Sequence, residues 1–243
     1  MPVKTCFVSV DIEQDLGGKN FRGVDNLDKI LNVFKKYKIP ATLFVTGEVL
    51  QKYPEQFQKL SASYGIAGHG FTHRFWNTLN LGERTKELDD FVGLYRGIFQ
   101  KSPTGFRAPS HVIDEEAIDL LARKGFLYDS SVVPHYPPFK KYRGYKGKAP
   151  LSPFRYEGLN LLEIPVTGQI LGIPLAGAWI RRLPIWFYGL LFFFHQPEFI
   201  TLSAHSWDVL DNRFVGKLEK IIKILIKNKY QFKNAEQLSE NRK

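Results

Sequence analysis

Short apolar runs alternate along the chain with segments in which apolar residues recur at helical spacing. Thr5–Val10 is an apolar run without a helical stripe, which is typical of a buried strand. From Val24 to Phe34 the apolar residues recur at helical spacing, and Pro40 ends that segment. The first part of the chain therefore predicts a strand followed by a helix.

The same alternation continues through the rest of the chain. The further predicted strands are Ala41–Val45, Gly65–Gly68, Thr104–Ala108, Leu127–Ser130, Leu161–Val166 and Phe199–Ala204. The further predicted helices are Tyr53–Tyr64, Arg84–Phe99, Glu115–Lys124 and Leu218–Ile226. A Pro-, Tyr- and Lys-rich loop is predicted over Pro134–Pro153, and an aromatic helical region before the last strand.

This order of elements predicts an α/β fold. Regular alternation favours parallel strands joined by crossover helices, and hence a barrel or a doubly wound sheet. The 243 residues are enough for one large α/β barrel. Because we find no linker, internal repeat or low-complexity tract, residues 1–243 are predicted to form a single domain.

Composition narrows the class of protein. The chain is 44% hydrophobic and 24% charged, which is ordinary for a soluble globular protein. Its single cysteine, Cys6, excludes an internal disulfide framework. The N-terminus lacks the layout of a signal peptide, and no apolar stretch is long enough to cross a bilayer. We therefore expect a cytoplasmic protein, with the inner face of the membrane as the alternative.

The net charge of +10 comes largely from Lys140–Lys148 and the stretch after Lys217. A basic surface attracts nucleic acid, anionic lipid or phosphorylated substrates. For the C-terminal stretch we favour a solvated, lysine-rich helix, and we expect no nucleic-acid partner. The aromatic stretch Trp179–Phe194 carries two arginines and favours a helix packed on the sheet; peripheral membrane contact, with a lipid-linked sugar as substrate, is the alternative.

Candidate metal ligands follow two of the predicted strands. Asp11 and Glu13 come after the first strand and would point to the same side of an extended chain. His69 and His73 follow the third strand, and on a helical turn their spacing would put both imidazoles on one face. Together they predict a site with two histidines, one carboxylate and open positions for water.

Three more polar residues lie at predicted strand ends. Arg107 is followed closely by Pro109, and it is suited to orienting a carboxylate through paired hydrogen bonds. Asp129 is suited to orienting a histidine, although a turn-capping role is the alternative. His205 is a proton donor whose partner the sequence does not identify.

Taken in order and spacing, these motifs resemble those of the polysaccharide deacetylases, carbohydrate esterase family 4, which share the NodB-homology domain. The matching segments are Asp11-Ile12-Glu13, His69-x-x-x-His73, Arg107-Ala108-Pro109, Asp129-Ser130-Ser131 and His205. The resemblance runs from about Cys6 to the C-terminus. It implies a distorted (β/α) barrel of about seven parallel strands.

The resemblance also implies a role for each residue. Glu13, His69 and His73 would hold a divalent metal, with zinc as the default. Asp11 would be the general base that takes a proton from water, and Arg107 would orient it.

The remaining roles concern the leaving group and the substrate. His205 would protonate the leaving amine, with Asp129 favouring its charged form, and the Ser110 N–H would hold the oxyanion. The implied enzyme is a hydrolase of carbon–nitrogen bonds other than peptide bonds. It would remove N-acetyl from an amino sugar of a cell-envelope polysaccharide or another glycan, with a lipid-linked saccharide as the alternative.

The chain departs from the family pattern at two positions. Most members have adjacent aspartates where this chain has Asp11 and Glu13, so Asp15 or Asp11 stays open as the metal ligand. Ser110 stands where an aromatic residue usually follows the proline. A sugar platform would then come from Trp207, Trp76 or Phe75, although Trp207 equally suits the core.

Three competing functions stay open. A non-haem iron enzyme also uses two histidines and a carboxylate, although it does not need the Asp11, Arg107 and His205 set. A sugar-binding module without activity would not need to keep those residues. An amidohydrolase acting on small or cyclic amides would keep the metal chemistry and change only the pocket.

Overall fold

The chain folds around one curled sheet, with helices on its outer side. A computed structural model describes residues 3–18, 20–134, 149–167 and 174–240. Within these ranges the strands are β1 (Thr5–Ile12), β2 (Thr42–Val45), β3 (Gly65–Gly68), β4 (Gly105–Phe106), β5 (Tyr128–Asp129), β6 (Phe154–Arg155), β7 (Leu162–Glu163), β8 (Leu175–Ala176), β9 (Phe199–His205) and β10 (Gln231–Lys233).

Helices connect most of these strands. They are α1 (Arg22–Asp25), α2 (Asp28–Tyr37), α3 (Gly47–Lys52), α4 (Pro54–Leu60), α5 (Leu81–Phe99), α6 (Glu115–Arg123), α7 (Gly177–Arg182), α8 (Ile185–Phe194), α9 (Phe214–Lys227) and α10 (Ala235–Glu240). Short 3-10 helices occupy Trp76–Thr78, Pro109–His111 and Ser206–Leu210. Across the described ranges, every helix is too short or too polar to traverse a bilayer.

The strand order is β6-β7-β5-β4-β3-β2-β1-β9-β8, and β10 pairs with the first residues of β1. All pairs are parallel except β6 with β7. The chain after β7 reaches β9, because the Thr201 N–H donates to the Thr167 carbonyl at 2.8 Å. The expected distorted (β/α) barrel is therefore confirmed, whereas a single domain over residues 1–243 stays a prediction.

Several elements differ from the sequence-based expectation. Ten strands are present in the described ranges rather than about seven, since two-residue strands and β10 add to the count. The helix expected at Tyr53–Tyr64 ends at Leu60, and α3 precedes it. The aromatic region forms α7 and α8, which are separated at Pro184. Of the predicted loop Pro134–Pro153, residues 135–148 lie outside the described residues.

The alternation of β1 explains why Asp11 faces the barrel interior. Cys6, Val8 and Val10 belong to the core between sheet and helices, whereas Phe7 belongs to a separate cluster with Phe44. Because alternate residues of a strand point to the same face, Ser9 and Asp11 share the side of Phe7. The interior is thus apolar at the amino ends of the strands and polar at their carboxyl ends.

The close approach of α1 to the 3-10 helix Ser206–Leu210 generates a stability prediction. A Cβ atom on Gly23 would lie 2.5 Å from the Trp207 backbone nitrogen. Because that atom is backbone, Gly23→Ala is expected to lower the free energy of unfolding by about 1–3 kcal/mol. Urea denaturation followed by circular dichroism measures this change.

Gly97→Ala in α5 is the matched control. A Cβ atom there would meet nothing within 4 Å, so the substitution is expected to be neutral or to stabilise the helix slightly. Equal effects of the two substitutions would contradict the proposed close approach.

Candidate active site

The polar residues predicted at strand ends meet at the carboxyl edge of the sheet. Asp11 lies beside His205 in the pairing of β1 with β9. His69 directly follows β3, and Arg107 directly follows β4. The carboxyl edge is where barrel folds of this kind carry their chemistry.

Glu13, His69 and His73 form a compact group. Each offers one ligand atom, and these atoms all lie within 4.8 Å of one another. Glu13 Oε2 lies 3.4 Å from His69 Nε2 and is also in contact with His73 Nε2. Two ligands on a tetrahedral zinc ion would be about 3.4 Å apart, so the spacing fits a shared metal ion.

The hydrogen bonds around this group suit metal binding. His69 Nδ1 lies 2.7 Å from the Arg107 carbonyl, which can only accept a hydrogen bond, so Nδ1 carries the proton. The lone pair of Nε2 then faces Glu13. Glu13 Oε1 accepts a hydrogen bond from Trp207 Nε1 at 2.9 Å, while Oε2 is buried without a hydrogen bond of normal geometry. A cation would satisfy that oxygen.

The pKa of Glu13 reflects the same geometry. Burial opposes the charged carboxylate and works to raise its pKa, but contacts with His69 and His73 outweigh burial and keep the pKa well below its usual range. The carboxylate is therefore charged near neutral pH, as a metal ligand must be.

The two histidines do not share a helical turn, contrary to the sequence-based expectation. They lie in an irregular loop in which Gly70 has φ +75° and His73 has φ +60°. Glu87 of α5 holds this loop by accepting hydrogen bonds from the Phe71 and Thr72 N–H groups at 2.8 and 2.9 Å. Glu87 was not predicted from the sequence, because nothing in the spacing of a long helix marks one glutamate as an anchor.

Asp11 and Arg107 form the buried ion pair that the sequence led us to expect. Arg107 Nη1 donates to Asp11 Oδ1 at 2.7 Å, and the Arg107 side chain is fully buried. Burial works to raise the pKa of Asp11, but the guanidinium of Arg107 and the nearby His69, His205 and His111 together outweigh it and lower the pKa to about 2. Asp11 is therefore a charged acceptor near neutral pH.

His205 faces Asp11 from β9 and has Asp208 behind it. Its Nε2 lies 4.0 Å from Asp11 Oδ2, and its Nδ1 lies 3.4 Å from Asp208 Oδ2. Burial works to lower the pKa of His205, but the Asp208 carboxylate, followed by Asp11, outweighs it and raises the pKa to about 9. His205 is therefore charged near neutral pH and can donate a proton.

The expectation that Asp129 orients His205 is wrong. Asp129 accepts hydrogen bonds from the Ser131 N–H and hydroxyl at 3.1 and 2.7 Å and lies against Glu163. Burial raises the pKa of both carboxyls, and for Glu163 the charge of Asp129 adds to the effect. Because the Ala108 N–H donates to the Ser131 hydroxyl at 2.8 Å, Asp129 instead supports the strand end that carries Arg107.

Trp207 is not an exposed sugar platform. It is only 8% exposed, it donates to Glu13, and His205 stacks on it at a centroid distance of 4.4 Å. Trp76 is buried as well, whereas Phe75 is 47% exposed and lines the same depression as Glu13 and His205. Trp207 also lines this depression, but Phe75 is the most exposed of the three aromatic candidates.

The structure also shows the positions of Asp15, a candidate metal ligand, and of Ser110, the candidate oxyanion donor. Asp15 accepts hydrogen bonds from the Gly23 and Arg22 N–H groups at 2.9 and 3.1 Å, so it holds the start of α1 rather than a metal. Ser110 lines the depression at φ +55°. The N–H groups of His111 and Val112 make the hydrogen bonds of its turn, and the Ser110 N–H takes no part in them.

Arg181 of α7 contacts two residues beside His205, namely Asp208 and Trp207. Its Nε forms an ion pair with Asp208 Oδ1 at 2.9 Å, and its guanidinium lies 4.9 Å from the centroid of the Trp207 ring. Gly177 permits this arrangement, since a Cβ atom there would lie 1.7 Å from Asp208 Oδ2. From the sequence, Arg181 was recognised only as part of an aromatic stretch, and its contact with Asp208 was not predicted.

Fold and site together define a barrel protein with a two-histidine, one-carboxylate group beside a buried Asp–Arg pair. The family model for polysaccharide deacetylases matches residues 8–128, which include Asp11, Glu13, His69, His73 and Arg107. The chain belongs to the polysaccharide deacetylase family.

Individual relatives extend the comparison. A peptidoglycan deacetylase of Helicobacter pylori is 29% identical over 124 residues, which are 51% of this chain and 42% of that protein. The chain thus spans less than half the length of this curated relative. Another, the peptidoglycan-N-acetylmuramic acid deacetylase PdaC of Bacillus subtilis, is 32% identical over 42% of this chain and 22% of its own length.

Among solved structures, an allantoinase has a TM-score of 0.73 at 15% identity and covers 97% of this chain and 89% of its own. The structure of PdaC from Bacillus subtilis has a TM-score of 0.60 at 18% identity, with coverage of 98% and 91%. At such identities the likeness concerns the fold alone. The residues of the site, rather than the fold, must distinguish sugar deacetylation from hydrolysis of a cyclic amide.

The role of Glu87 can be tested through metal affinity. In Glu87→Ala the Phe71 and Thr72 N–H groups would lose the carboxylate oxygen that accepts from both, so the loop should lose its fixed position. We expect the affinity for zinc to fall about 10- to 100-fold, as for other groups that support metal ligands. Competition with a chromophoric chelator measures the affinity.

Asp90→Ala removes a carboxylate from the same helix and serves as the control, because Asp90 is exposed and pairs with Lys86. It should bind zinc like the wild type. Equal affinities of wild type and Glu87→Ala would show that the loop does not depend on this anchor.

Proposed function

We propose that this protein is a metal-dependent hydrolase that removes an N-acetyl group from an amino sugar of a glycan. The observation that carries the proposal is the placement of Glu13, His69 and His73 within reach of one cation, beside a charged Asp11. His205 faces the same space in its charged form, so the site holds an acid and a base at once.

The residues fit a divalent metal ion, and zinc is the default. Glu13 has a buried oxygen without a normal hydrogen bond, and His69 has its Nε2 lone pair directed to the same place. Neutral imidazoles and a carboxylate are ligands that zinc favours. A bound ion would polarise the acyl carbonyl and lower the pKa of water.

Asp11 is the proposed general base. Its pKa of about 2 keeps it charged, and Arg107 holds it in one orientation. Asp11 would take a proton from water as the water oxygen bonds to the acyl carbon. The Ser110 N–H would donate a hydrogen bond to the oxyanion that forms.

His205 is the proposed general acid. When the carbon–nitrogen bond breaks, its electron pair stays on the sugar nitrogen, and His205 would supply the proton that makes this nitrogen an amine. The acyl group leaves as acetate. Asp208 rather than Asp129 is the group proposed to keep His205 charged before the step.

The substrate class rests on the relatives and on the shape of the site. The matched relatives are named as deacetylases of peptidoglycan, which supports an N-acetylated amino sugar within a glycan. Exposed Phe75 beside the depression would offer an apolar face for a sugar ring. A cell-envelope polysaccharide as substrate and a cytoplasmic location both stay predictions.

Acetate release from a panel of N-acetylated glycans, lipid-linked sugars and a cyclic ureide tests the proposal. His69→Ala should lose both metal and activity, because it removes a ligand. Asp11→Asn should keep the metal and lose activity by about 100-fold or more, since it removes only the base. Metal content is measured on the same samples.

Asp28→Asn, an exposed aspartate of α2, is the control for the charge change. Loss of metal in Asp11→Asn would reverse the assignment of the two acids. Turnover of the cyclic ureide alone would favour the amidohydrolase. Turnover that requires iron and an oxoacid would favour the oxygenase class.

The pairing of His205 with Asp208 predicts a specific pH dependence. A general acid must be protonated, so kcat/KM should fall as the pH rises through the raised pKa of His205, about 9. Asp208→Asn removes the neighbouring negative charge and should move this alkaline limb to lower pH by roughly one unit. The pH profile of kcat/KM measures the shift.

Asp211→Asn removes a charge three residues further along and should leave the limb in place. An alkaline limb that does not move in Asp208→Asn would show that another group titrates there.

A further inference from the structure

Helix α8 carries apolar side chains that the fold leaves uncovered. Trp186, Leu190, Phe193 and Phe194 lie at helical spacing along one side and are 68, 47, 78 and 76% exposed. We call these four residues the α8 face. Soluble proteins rarely expose apolar patches of this kind unless the patch binds something.

The opposite side of α8 already supplies the packing that the barrel needs. Tyr188, Leu191 and Phe192 are buried in the core between sheet and helices. Phe192 also contacts the ring of Tyr230 at a centroid distance of 5.8 Å. The sequence-based preference for a helix packed on the sheet therefore accounts for one side of α8 and leaves the α8 face without a structural role.

The surroundings of the α8 face are basic. The sequence has no Asp or Glu between Glu163 and Glu198. Arg182 is exposed just before α8, and Lys220 and Lys227 are exposed on α9. Lys220 lies one helical turn from Lys217, which donates to the carbonyls of Arg181 and Leu183 and so marks the side of α9 that borders α7 and α8.

Helix α8 connects the two ends of the barrel. It begins next to α7, where Arg181 contacts Asp208 at the carboxyl end of β9. After α8, Gln196 accepts a hydrogen bond from Lys4 and donates one to Asn228, at the amino end of β1. The α8 face thus runs along the side of the barrel from the candidate active site to its opposite end.

We propose that the α8 face docks this protein on an anionic lipid surface, with the helix lying in the plane of the interface. An aromatic and aliphatic stripe flanked by arginine and lysine is the composition that interfacial helices use. At ten residues, α8 is about 15 Å long, half the thickness of the hydrocarbon core. Tryptophan and phenylalanine enter the interface, and the basic side chains reach the head groups.

A second copy of the chain fits this surface less well. A two-fold interface would bring the same patch of both copies together. Arg182 and the α9 lysines would then face their own counterparts across the interface, and like charges disfavour that arrangement. Anionic head groups instead complement them.

The docking has a consequence that rests on the proposed function. Because α8 begins beside the candidate active site, a protein docked by its α8 face holds that site at the edge of the bilayer. The favoured substrate is then a saccharide held at the membrane surface, such as one carried on a lipid. A free oligosaccharide in solution would be turned over without any benefit from docking.

Flotation of the full chain with vesicles tests the docking. Vesicles of phosphatidylcholine alone are compared with equal mixtures of phosphatidylcholine and phosphatidylglycerol. The wild type should float with the mixture, and Phe193→Ser/Phe194→Ser should partition at least about tenfold less. Val3→Ser/Leu151→Ser, which changes two exposed apolar residues elsewhere, should float like the wild type.

A second pair of variants tests the charge. Lys220→Ser/Lys227→Ser should lose much of the preference for phosphatidylglycerol, whereas Lys59→Ser/Lys101→Ser, with the same charge change on other parts of the surface, should lose less. Circular dichroism and acetate release from a soluble substrate establish that each variant is folded. Equal losses of the phosphatidylglycerol preference in both lysine pairs would show that binding follows the net charge of the protein alone. That result would overturn the role of α9.

The other possible outcomes of these experiments also test the docking proposal. No flotation of the wild type, or equal flotation of Phe193→Ser/Phe194→Ser, overturns the proposal. Sedimentation of the wild type as a dimer that this variant dissociates, without flotation, would assign the α8 face to a second copy. If flotation depends on the α8 face but no substrate releases acetate, the docking stands and the proposed function fails.

Discussion

The arrangement of the site depends on one buried charge, the guanidinium of Arg107. The side chain is fully buried, and it donates hydrogen bonds to the Ser130 carbonyl and hydroxyl, to the Ser9 hydroxyl and to Asp11. Phe44 covers it at 4.0 Å from its ring centroid. Removing one partner of such a buried pair typically costs about 3–5 kcal/mol. The ends of β1, β4 and β5 are therefore held together by the same bonds that fix the charge of Asp11.

The candidate metal ligands His69 and Glu13 are connected to the rest of the site through the Arg107 carbonyl and the Trp207 indole. The carbonyl of Arg107 accepts the hydrogen bond that sets the tautomer of His69. Trp207 holds Glu13 on one edge and supports His205 on its face. A change in the strand end that carries Arg107 would consequently affect both Asp11 and the candidate metal ligands. Such supporting contacts keep a site within the narrow geometry that catalysis needs.

The sequence predicted the strand ends well and the side-chain partners less well. Asp11, Glu13, His69 and Arg107 could be located because parallel strands bring their carboxyl ends together whatever the connections between them. The partner of His205 could not be identified from the sequence, because it depends on the direction in which the neighbouring side chains point. Asp129 points to Ser131 and Glu163, whereas Asp208, three residues after His205, folds back against it within a 3-10 helix. Among the elements, β10 and α10 were missed because both are short and mostly polar.

Asp11 and His205 are neighbours, yet Asp11 favours its deprotonated form and His205 its protonated form. Their surroundings explain why. Both Asp11 and His205 lose solvent, which on its own would favour the neutral form of each. Arg107, together with nearby histidines, reverses that tendency for Asp11, and Asp208, together with Asp11 and Glu13, reverses it for His205. The result is a charged acceptor and a charged donor with 4.0 Å between Asp11 Oδ2 and His205 Nε2. In the proposed mechanism, these fixed charges would let a proton be taken on one side of a substrate and given on the other.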